Sequence, residues 1–566
     1  MNPPYYVDKD IRRVPMAIFD IILVAVVFAF LVFALVAKIK KITFKYSFFL
    51  YLTPLILSLI HLLVCGLNFF LIPLMLGALF IVLLYPARKR WWTFIPVILL
   101  SAVFAASSLA LPAMENMQNY ASFSYTDSFA RLNTYFRDTY PLAAHKDIDF
   151  AAKYTEFLPL FEAAEKNGDK KAYYDAICAY IASFHDSHIA SAPAEAFLGL
   201  RFTLGEIVSW RDGDFGGDLG FSVLRADDGR ALAIAVDGNG AAYAAGIRNG
   251  TEILMIDGKT PAEAASAIPL VFAPQGGADA TNRLLMQYMM LGRCPVGKEA
   301  AIAFLADDGS TSQISITALE KDFDSLNETF STVLRAEPAT ADDLYSFTML
   351  EDSTAYMRIA TMMYDDEPAM LERIDSDLAT LAKSGAANLI IDLRQNGGGE
   401  DTFGAALKGF FTDQEDFYLT ESELDSETGE LTSENTIRVT PNAPGFTGKI
   451  IILVNTGSAS AAEGFAYNMA ELPNVSVAGM MGTNGSFGTI SDGFVLMPDN
   501  FLVLFPRIAC VEEDGHVMID ADANGNGGVK PDIKIPIGED AVHALFDEKK
   551  DYELDYVLSW LAGTVE

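Results

Sequence analysis

The fold is decided by residues 449–489, which read KIIILVNTGSASAAEGFAYNMAELPNVSVAGMMGTNGSFGT. The run from Ile450 to Val454 is apolar, of strand length and rich in β-branched residues, which predicts a buried strand. Turn residues follow it, and apolar residues then recur at helical spacing from Ala461 to Leu472. The stretch therefore predicts a strand, a tight turn and a helix, with Ser460 at the start of the helix.

Two interpretations of Ser460 are open at this point. A hydroxyl at a helix N-terminus lies among unpaired backbone amides at the positive end of the helix dipole. Negative charge that develops on a substrate carbonyl would be stabilised there, which favours a nucleophile. Ser460 followed by Glu463 also matches a capping box, in which the two side chains only satisfy free amides.

Length and charge limit the classes of function. The chain has 566 residues, which predicts three or four domains, and a net charge of −34. Ten basic and three acidic residues lie before position 91, so the acidic excess belongs to the rest of the chain. An acidic body argues against nucleic-acid binding, which needs a basic surface. The four cysteines form no CxxC pair, so neither a disulfide framework nor a cysteine metal site is expected, and no metal or cofactor is predicted.

The N-terminal part predicts a membrane domain. Four apolar runs, at about residues 14–37, 48–66, 67–85 and 91–112, each approach the ~20 residues that span a bilayer. The first and second runs, and the third and fourth, are joined by loops rich in lysine and arginine. The positive-inside rule puts both loops in the cytoplasm, so the body that follows is expected to be extracytoplasmic, at the cell membrane.

Residues 127–192 predict helices that end in a histidine-containing segment. Their apolar residues share faces at helical spacing, and the last helix leads into Phe184-His185-Asp186-Ser187-His188. Histidine is the commonest general base, but either histidine could also be a surface residue at a helix end.

Residues 217–319 resemble a PDZ domain. The motif Asp218-Leu219-Gly220-Phe221 stands where PDZ domains have their carboxylate-binding loop, and the later AAGI, NG, EIL and IDGK match the helix and strand signature. In that family, loop amides hold a peptide C-terminus, and the peptide adds a strand to the sheet. The resemblance implies peptide binding at Leu219, Gly220 and Phe221; a PDZ-like fold that only gates or scaffolds is the alternative.

From residue 353 the pattern predicts alternating strands and helices. Strands are predicted at 355–359 and 388–393, with an amphipathic helix between them. The second strand leads to Gly397-Gly398-Gly399, where backbone amides can approach a ligand closely. No Lys-Ser/Thr pair follows, which excludes a phosphate-binding Walker loop. The acidic residues 413–434 predict an exposed loop, and 527–533 predict a turn that enters a last strand.

Three separated motifs, IIDLRQNGGG, VNTGSASAAEGFAY and GGVKPDI, together with the PDZ-like part, resemble the S41 family of serine peptidases over about residues 125–540. This family includes the C-terminal processing peptidases and tricorn protease. The resemblance implies an α/β fold with a ClpP/crotonase-like βαβ catalytic core, combined here with a helical subdomain, a PDZ-like β-rich domain and four transmembrane helices.

The resemblance also implies the catalytic residues. Ser460 aligns with the family nucleophile. The C-terminal processing branch has a lysine base 25 positions later, where this chain has Gly485. The tricorn-like branch instead has a histidine before the PDZ-like part, which His188 matches, and this assigns His188 as the base with Ser187 as a supporting residue. A serine hydroxyl is a weak nucleophile and needs such a base.

The remaining site residues follow from the same resemblance. The amides of Gly398, or a neighbouring glycine, and of Ala461 are expected to form the oxyanion hole. The tricorn-like branch has a glutamate just before the G-V-x-P-D turn, but this chain has Asp520 and Asp522 there. Asp522 is predicted to orient the base.

The predicted organisation is a membrane domain at 1–112, a helical subdomain at 113–200, a PDZ-like domain at 201–325, a catalytic core at 340–545 and a C-terminal helix at 546–566. The predicted function is a membrane-anchored, extracytoplasmic serine endopeptidase that acts on proteins or peptides. A catalytically impaired relative that binds peptides without cutting them is the first alternative, and the missing glutamate favours it. A transporter or sensor is a further alternative, but the predicted spans lack convergent polar groups.

Overall fold

The computed structural model describes residues 117–193, 204–269, 277–320, 324–335, 344–350, 353–442, 446–489 and 493–565. The chain divides into two units, and all of these residues except the first belong to the unit Gln118–Glu566. The predicted membrane domain lies outside the described residues. The finer domain boundaries stay predictions.

The fold class predicted from the sequence needs one correction. In the described ranges, no helix combines the length and the apolar character that crossing a membrane requires. The two longest, Phe150–Asn167 and Glu367–Ser384, have 18 residues each, and both carry several charged side chains. Such helices pack one apolar face against a core and expose the other. Over the described residues the structure supports a mixed α/β fold, and no membrane-spanning helix is among the elements of these ranges.

The first part of the described chain is a helical bundle. Its elements are β1 Gln118–Asn119, α1 Tyr125–Thr139, α2 Phe150–Asn167, α3 Lys170–Ala182, β2 Ala190–Pro193 and α4 Leu204–Phe215. Helices α1 to α3 meet in an aromatic core, where the rings of Phe129 and Phe161 stack with centroids 4.1 Å apart. Strand β2 pairs antiparallel with Phe501–Leu504, and this pairing attaches the segment after His188 to the catalytic core.

The part that the sequence predicts to be PDZ-like contains, among its described residues, short strands and four α-helices. Its elements are β3 Gly217–Asp218, β4 Ser222–Arg225, β5 Ala231–Ile234, α5 Ala241–Ala244, β6 Ile253–Ile256, α6 Pro261–Ser266, α7 Ala280–Met289, β7 Arg293–Cys294, β8 Glu299–Leu305, β9 Thr311–Thr317, β10 Leu319–Glu320 and α8 Asp324–Val333. Three small sheets form, in the orders β10-β3-β7, β4-β5 and β6-β8-β9.

The catalytic core surrounds a six-stranded sheet of order β11-β12-β13-β16-β17-β21, which is parallel except for β11. The elements of this part are β11 Tyr345–Met349, β12 Thr354–Ile359, α9 Glu367–Ser384, β13 Asn388–Asp392, α10 Asp401–Lys408, β14 Asp416–Leu424, β15 Leu431–Val439, β16 Lys449–Leu453, α11 Ala461–Ala470, β17 Val475–Gly479, β18 Phe494–Leu496, β19 Phe501–Leu504, β20 Ile508–Val511, β21 Ile533–Lys534, α12 Glu539–Val542 and α13 Tyr552–Leu561.

Strands β13 and β16 lie in the middle of this sheet and are buried on both faces. Ile450 and Ile452 pack with α9, α10 and α11, whereas Ile451 and Leu453 pack with the C-terminal helices and part of the PDZ-like region. Two covered faces explain why these strands are continuously apolar rather than alternating. The predictions of a buried strand, a turn and a helix around Ser460 are confirmed.

The prediction of an exposed loop at 413–434 is wrong. Strands β14 and β15 form an antiparallel hairpin there, and β14 also pairs with β20. Tyr418 and Leu419 are fully buried, while Glu434, the acidic residue of β15, is exposed to solvent. An antiparallel sheet can be solvated on one face, so a high acidic content does not exclude strands.

Candidate active site

The predicted site lies at the carboxyl ends of three neighbouring parallel strands. Strand β13 leads to the glycines 397–399, β16 leads to Ser460, and β17 leads to residues 480–488. In parallel α/β sheets, ligands bind in the crevice at this edge of the strands. The topology therefore brings motifs that are far apart in sequence to one edge.

Ser460 has an unusual backbone conformation. Its φ is 53° and its ψ is −130°, and helix α11 begins at the next residue. A positive φ is uncommon for a residue with a side chain and persists only when the surroundings enforce it. Its carbonyl accepts hydrogen bonds from the amides of Glu463 and Gly464, at 2.9 and 3.0 Å. The half-buried serine thus stands on a sharp strand-to-helix turn, the geometry in which a nucleophilic hydroxyl is presented.

The side chain of Glu463 stabilises this turn through hydrogen bonds. Its buried carboxylate accepts hydrogen bonds from the amides of Ser460, Gly485 and Ser486 at 3.1, 2.8 and 3.1 Å, and from the Thr483 hydroxyl at 2.6 Å. Burial raises the pKa of Glu463 to about 8, and the hydrogen bonds from Thr483, Gly485 and Ser486 act against this rise. The carboxylate half of the capping box is therefore present, and it also connects α11 to the loop at 483–486. The sequence pattern predicts Glu463 only as a cap.

Gly398 and Ala461 lie beside the predicted nucleophile. A Cβ atom on Gly398 would be 2.7 Å from the Ser460 Cβ and 3.0 Å from the Ala461 amide nitrogen. The Ala461 amide has no hydrogen-bond partner within the described ranges. The Gly398 amide, in contrast, donates to Asn396 Oδ1 at 3.0 Å. The structure brings both predicted oxyanion-hole residues together with Ser460, but one of the two amides is already bonded.

Ser187 is held by the loop that follows β17. Its amide donates to Ser486 Oγ at 2.9 Å, and its hydroxyl donates to Asn484 Oδ1. The Asn484 amide in turn donates to the Ser458 carbonyl at 3.0 Å, two residues before Ser460. This chain of contacts attaches the segment that carries His188 to the turn that carries Ser460.

His188 is half-buried, and the Nδ1 atom of its ring is shielded from solvent and has no hydrogen-bond partner in the described part of the chain. Its amide donates to Asp186 Oδ1 at 2.9 Å, and the other oxygen of Asp186 accepts from the Tyr140 hydroxyl at 2.7 Å. Burial lowers the pKa of His188, the charge of Asp186 opposes this shift, and Lys146 adds to it. The ring is therefore favoured in its neutral form, which is the form that a base requires.

The two candidate acids differ in their surroundings. The carboxylate of Asp522 accepts hydrogen bonds from the amides of Asn524 and Asn526, at 2.8 and 2.9 Å, and so stabilises its own loop. Asp520 is 3 % exposed and accepts from the Phe487 amide at 3.0 Å, while its Oδ2 has no partner among the described residues. Burial, and then the charge of Asp186, raise the pKa of Asp520 to about 7. The acid that interacts with the His188 segment is therefore Asp520 rather than Asp522.

Gly485 stands at the position of the lysine in the other branch. Its φ is +82°, in the region that favours glycine, and an added Cβ would lie 3.1 Å from the Gly528 amide nitrogen and 3.3 Å from that of Asp279. The backbone of this chain therefore has no room for an unstrained lysine at position 485.

The predicted peptide-binding loop has its own internal contacts. The Leu219 amide donates to the Gly292 carbonyl at 3.0 Å, and the Gly220 amide donates to Asp218 Oδ1 at 2.7 Å. The side chains of Leu219 and Phe221 are buried. As for metals, no three His, Cys, Asp or Glu side chains of the described residues are grouped as an ion site would need.

Comparisons with known proteins agree with this geometry. Residues 353–535 match the model of Peptidase family S41, a span that includes Ser460, Gly398 and Asp520. The structure of mature CPAF complexed with lactacystin matches with a TM-score of 0.50 and 15% identity, over 78% of this chain and 98% of that chain. At this identity the likeness shows the fold alone.

Two further solved structures match less closely. The photosystem II D1 C-terminal processing protease has a TM-score of 0.35 and 16% identity, over 76% of this chain and 100% of that chain. The tricorn protease has a TM-score of 0.33 and 15% identity, over 77% of this chain and 36% of that chain. These scores are too low to carry an argument. No curated protein matches the chain. The family match at residues 353–535, on a fold that has this serine-bearing turn, establishes that the chain carries a Peptidase family S41 domain and is a serine-type peptidase.

Proposed function

We propose that this protein is an endopeptidase that cleaves proteins or peptides through an acyl-enzyme on Ser460, with His188 as the base. The observation that supports this most directly is the strained turn at Ser460, which has the Gly398 backbone against its Cβ and the unpartnered Ala461 amide beside it. Strain of this kind is kept where function requires it.

In the proposed reaction, the Ser460 oxygen attacks the substrate carbonyl while His188 takes its proton. The Ala461 amide stabilises the resulting oxyanion, together with a glycine amide of 397–399. His188 then gives the proton to the leaving amine, and the acyl-enzyme forms. A water molecule, deprotonated by the same ring, attacks the acyl group and releases Ser460. Because burial lowers the pKa of His188, the ring is available as a base at neutral pH.

We assign the supporting acid to Asp520 instead of Asp522. Asp520 and Asp186 lie close enough to interact electrostatically, and Asp186 accepts a hydrogen bond from the His188 amide. Asp186, whose charge acts to raise the pKa of His188, would stabilise the positive charge that the ring gains when it takes the proton, and Asp520 would add to this effect when it is ionised. Ser187 keeps the role of a positioning residue, since it bonds to Asn484 and Ser486 on the loop near the nucleophile.

One observation favours the alternative of an impaired enzyme that binds peptides. The Gly398 amide is occupied by Asn396 Oδ1, so one of the predicted oxyanion donors is not free in this conformation. An active enzyme needs either a small rotation of the Asn396 side chain or a donor from Gly397 or Gly399.

A fluorophosphonate probe, which reacts with activated serines, separates the two functions. The wild type and Ser376→Ala, which removes an exposed serine of helix α9, should be labelled equally. Ser460→Ala should lose all labelling, and His188→Ala most of it. A folded wild-type protein that is neither labelled nor able to digest casein would support the peptide-binding alternative.

The extracytoplasmic location stays a prediction, because the residues that determine it are not among those described. Protease treatment of intact cells should remove the body of the protein from the cell surface. Release only after lysis would contradict this location.

A further inference from the structure

We infer that the DLGF loop of the PDZ-like part is occupied by the chain itself, so that the enzyme selects internal segments of its substrates and does not require a free C-terminal carboxylate. This inference rests on the proposed peptidase function and specifies its class of substrate.

Asp218, the first residue of this loop, has a fully buried side chain. Its Oδ1 accepts from the Gly220 amide at 2.7 Å, and its Oδ2 accepts from the Ser325 hydroxyl and the Arg293 guanidinium at 2.7 and 2.6 Å. A carboxylate that accepts a loop amide and pairs with a buried arginine satisfies the donors that a peptide C-terminus would otherwise bind. The chain therefore supplies its own carboxylate to the loop.

The backbone of the same loop is also engaged. The Leu219 amide is bonded to the Gly292 carbonyl at 3.0 Å, and a Cβ atom on Gly292 would lie only 1.8 Å from the Phe221 carbonyl oxygen. Two of the three loop amides thus have partners within the chain, and the backbone at 292 is packed directly on the loop. A bound peptide C-terminus would have to displace these contacts.

Strand β4, along which an added peptide strand would pair, is itself packed against helices. Helix α7 lies over this strand, since the Ser222 hydroxyl donates to the Met289 carbonyl at 2.6 Å. Leu224 of β4 is fully buried in a cluster with Leu285 of α7 and Leu326 of α8. Main-chain hydrogen bonds give strand addition its affinity, and a peptide placed between β4 and α7 would have to break the Ser222–Met289 contact to form them.

The negative charge near the loop also disfavours the binding of a peptide C-terminus. Asp237 lies beside the loop, with its Cβ 3.9 Å from where a Cβ of Gly220 would be, and its amide donates to the Gly220 carbonyl at 2.9 Å. A peptide carboxylate at the loop would therefore meet the acidic side chain of Asp237 beside it, while the Asp218 carboxylate already occupies the Gly220 amide from within the chain. Like charges at short range disfavour binding.

The experiment compares free acids with amides. A peptide from casein that the full-length enzyme cleaves internally is synthesised with a C-terminal carboxylate and with a C-terminal amide. We expect values of kcat/KM that agree within about twofold, since no charge-assisted hydrogen bond to the terminus is formed. An advantage of tenfold or more for the free acid, about the value of one such bond, would overturn the inference.

A matched pair of glycine variants tests the loop itself. Gly220 and Gly229 both have a left-handed backbone, with φ of +85° and +90°, and the nearest atom to an added Cβ is 3.9 Å away in each case. Gly220→Ala and Gly229→Ala should therefore lower Tm by similar amounts, and the ratio of kcat/KM for acid and amide should stay unchanged in both. A change of that ratio in Gly220→Ala alone would contradict the inference.

A binding measurement keeps the inference testable if no peptide is cleaved. Pools of random fluorescein-labelled octapeptides, prepared as acids and as amides, are titrated with full-length Ser460→Ala and followed by anisotropy. Equal binding of the two pools supports the inference, and at least tenfold tighter binding of the acids overturns it. Absence of any Ser460-dependent cleavage would count against the proposed peptidase function only.

Discussion

Replacement of Asp520 by asparagine should stabilise the protein, by an amount that grows with pH. Burial and the nearby Asp186 raise the pKa of Asp520 to about 7, against about 3.9 in an unfolded chain. Between these two values the folded state binds more protons than the unfolded state, so stability falls as pH rises from about 4 to 7 and is then constant. At 1.36 kcal/mol per pH unit, the carboxylate costs about 4 kcal/mol at pH 8 and roughly 1–2 kcal/mol at pH 5.

The assay is urea unfolding of the wild type and Asp520→Asn at pH 5 and pH 8. Asparagine keeps the acceptor for the Phe487 amide, and any pH-independent cost of the new amide group cancels in the comparison. The variant's gain in unfolding free energy should therefore be about 3 kcal/mol larger at pH 8 than at pH 5. An equal effect at both pH values would refute the reasoning.

Asp522→Asn is the matched control, and its unfolding free energy should change in the opposite direction. Hydrogen bonds from the Asn526 and Asn524 amides lower the pKa of Asp522. A carboxylate whose pKa is lower in the folded state than in the unfolded state stabilises the fold at pH values above the unfolded-state pKa. This stability is lost as the pH falls through the folded-state pKa. The asparagine variant should therefore be less stable than the wild type at pH 8. If Asp520 supports His188, its asparagine variant should also lose activity while it gains stability, because such trade-offs mark functional residues.

Three further predictions concern the base, the nucleophile turn and the sheet. The value of kcat/KM should fall tenfold per pH unit below the His188 pKa, with its midpoint below ~6.5 because burial lowers that pKa; a pH profile flat down to 4 would exclude the ring as base. Gly398→Ala should abolish activity in a casein assay, because the added Cβ would collide with Ser460. The control Gly385→Ala has φ +73° and nothing within 4 Å of the added Cβ, so it should lose only ~1–2 kcal/mol of stability through backbone strain and stay active. Arg394→Met should lower the unfolding free energy by ~3–5 kcal/mol, measured in urea, because this fully buried guanidinium hydrogen-bonds three carboxylates; a change under 1 kcal/mol would contradict its role.

The strand and helix around Ser460 could be predicted because local pattern and tertiary environment agree there. The run 450–454 is apolar at every position, and β16 is covered on both faces. The hairpin of β14 and β15 escapes prediction for the opposite reason. Its acidic residues face solvent, and what makes it a hairpin is the burial of Tyr418 and Leu419 against residues that are distant in sequence. Pattern alone cannot supply that information.

The sequence carries only a weak signal for choosing between Asp520 and Asp522. The two aspartates are two residues apart and precede the same turn. Resemblance to the family gives no reason to prefer one of them. The two aspartates differ in their contacts. The amides of Asn524 and Asn526 donate hydrogen bonds to the Asp522 carboxylate, whereas Asp520 interacts with Asp186, which is more than 300 residues away in sequence. Asparagine two residues after an aspartate is a signal for such a local turn, and it could have directed attention to Asp520.

The loop after β17 connects Ser460 with the segment that carries the proposed base, His188, although the two are far apart in sequence. In the branch with a Ser–Lys pair, this loop carries the lysine, whereas here Gly485 has a backbone conformation that excludes it. Its neighbours Asn484 and Ser486 bind Ser187, while the amides of Gly485 and Ser486 bind Glu463 beneath the nucleophile. The loop thus holds the segment that carries the proposed base, His188, and carries no base itself. A lysine restored at 485 would disturb this support before it could act as a base, so Gly485→Lys should lower activity even though it recreates the other branch's pair.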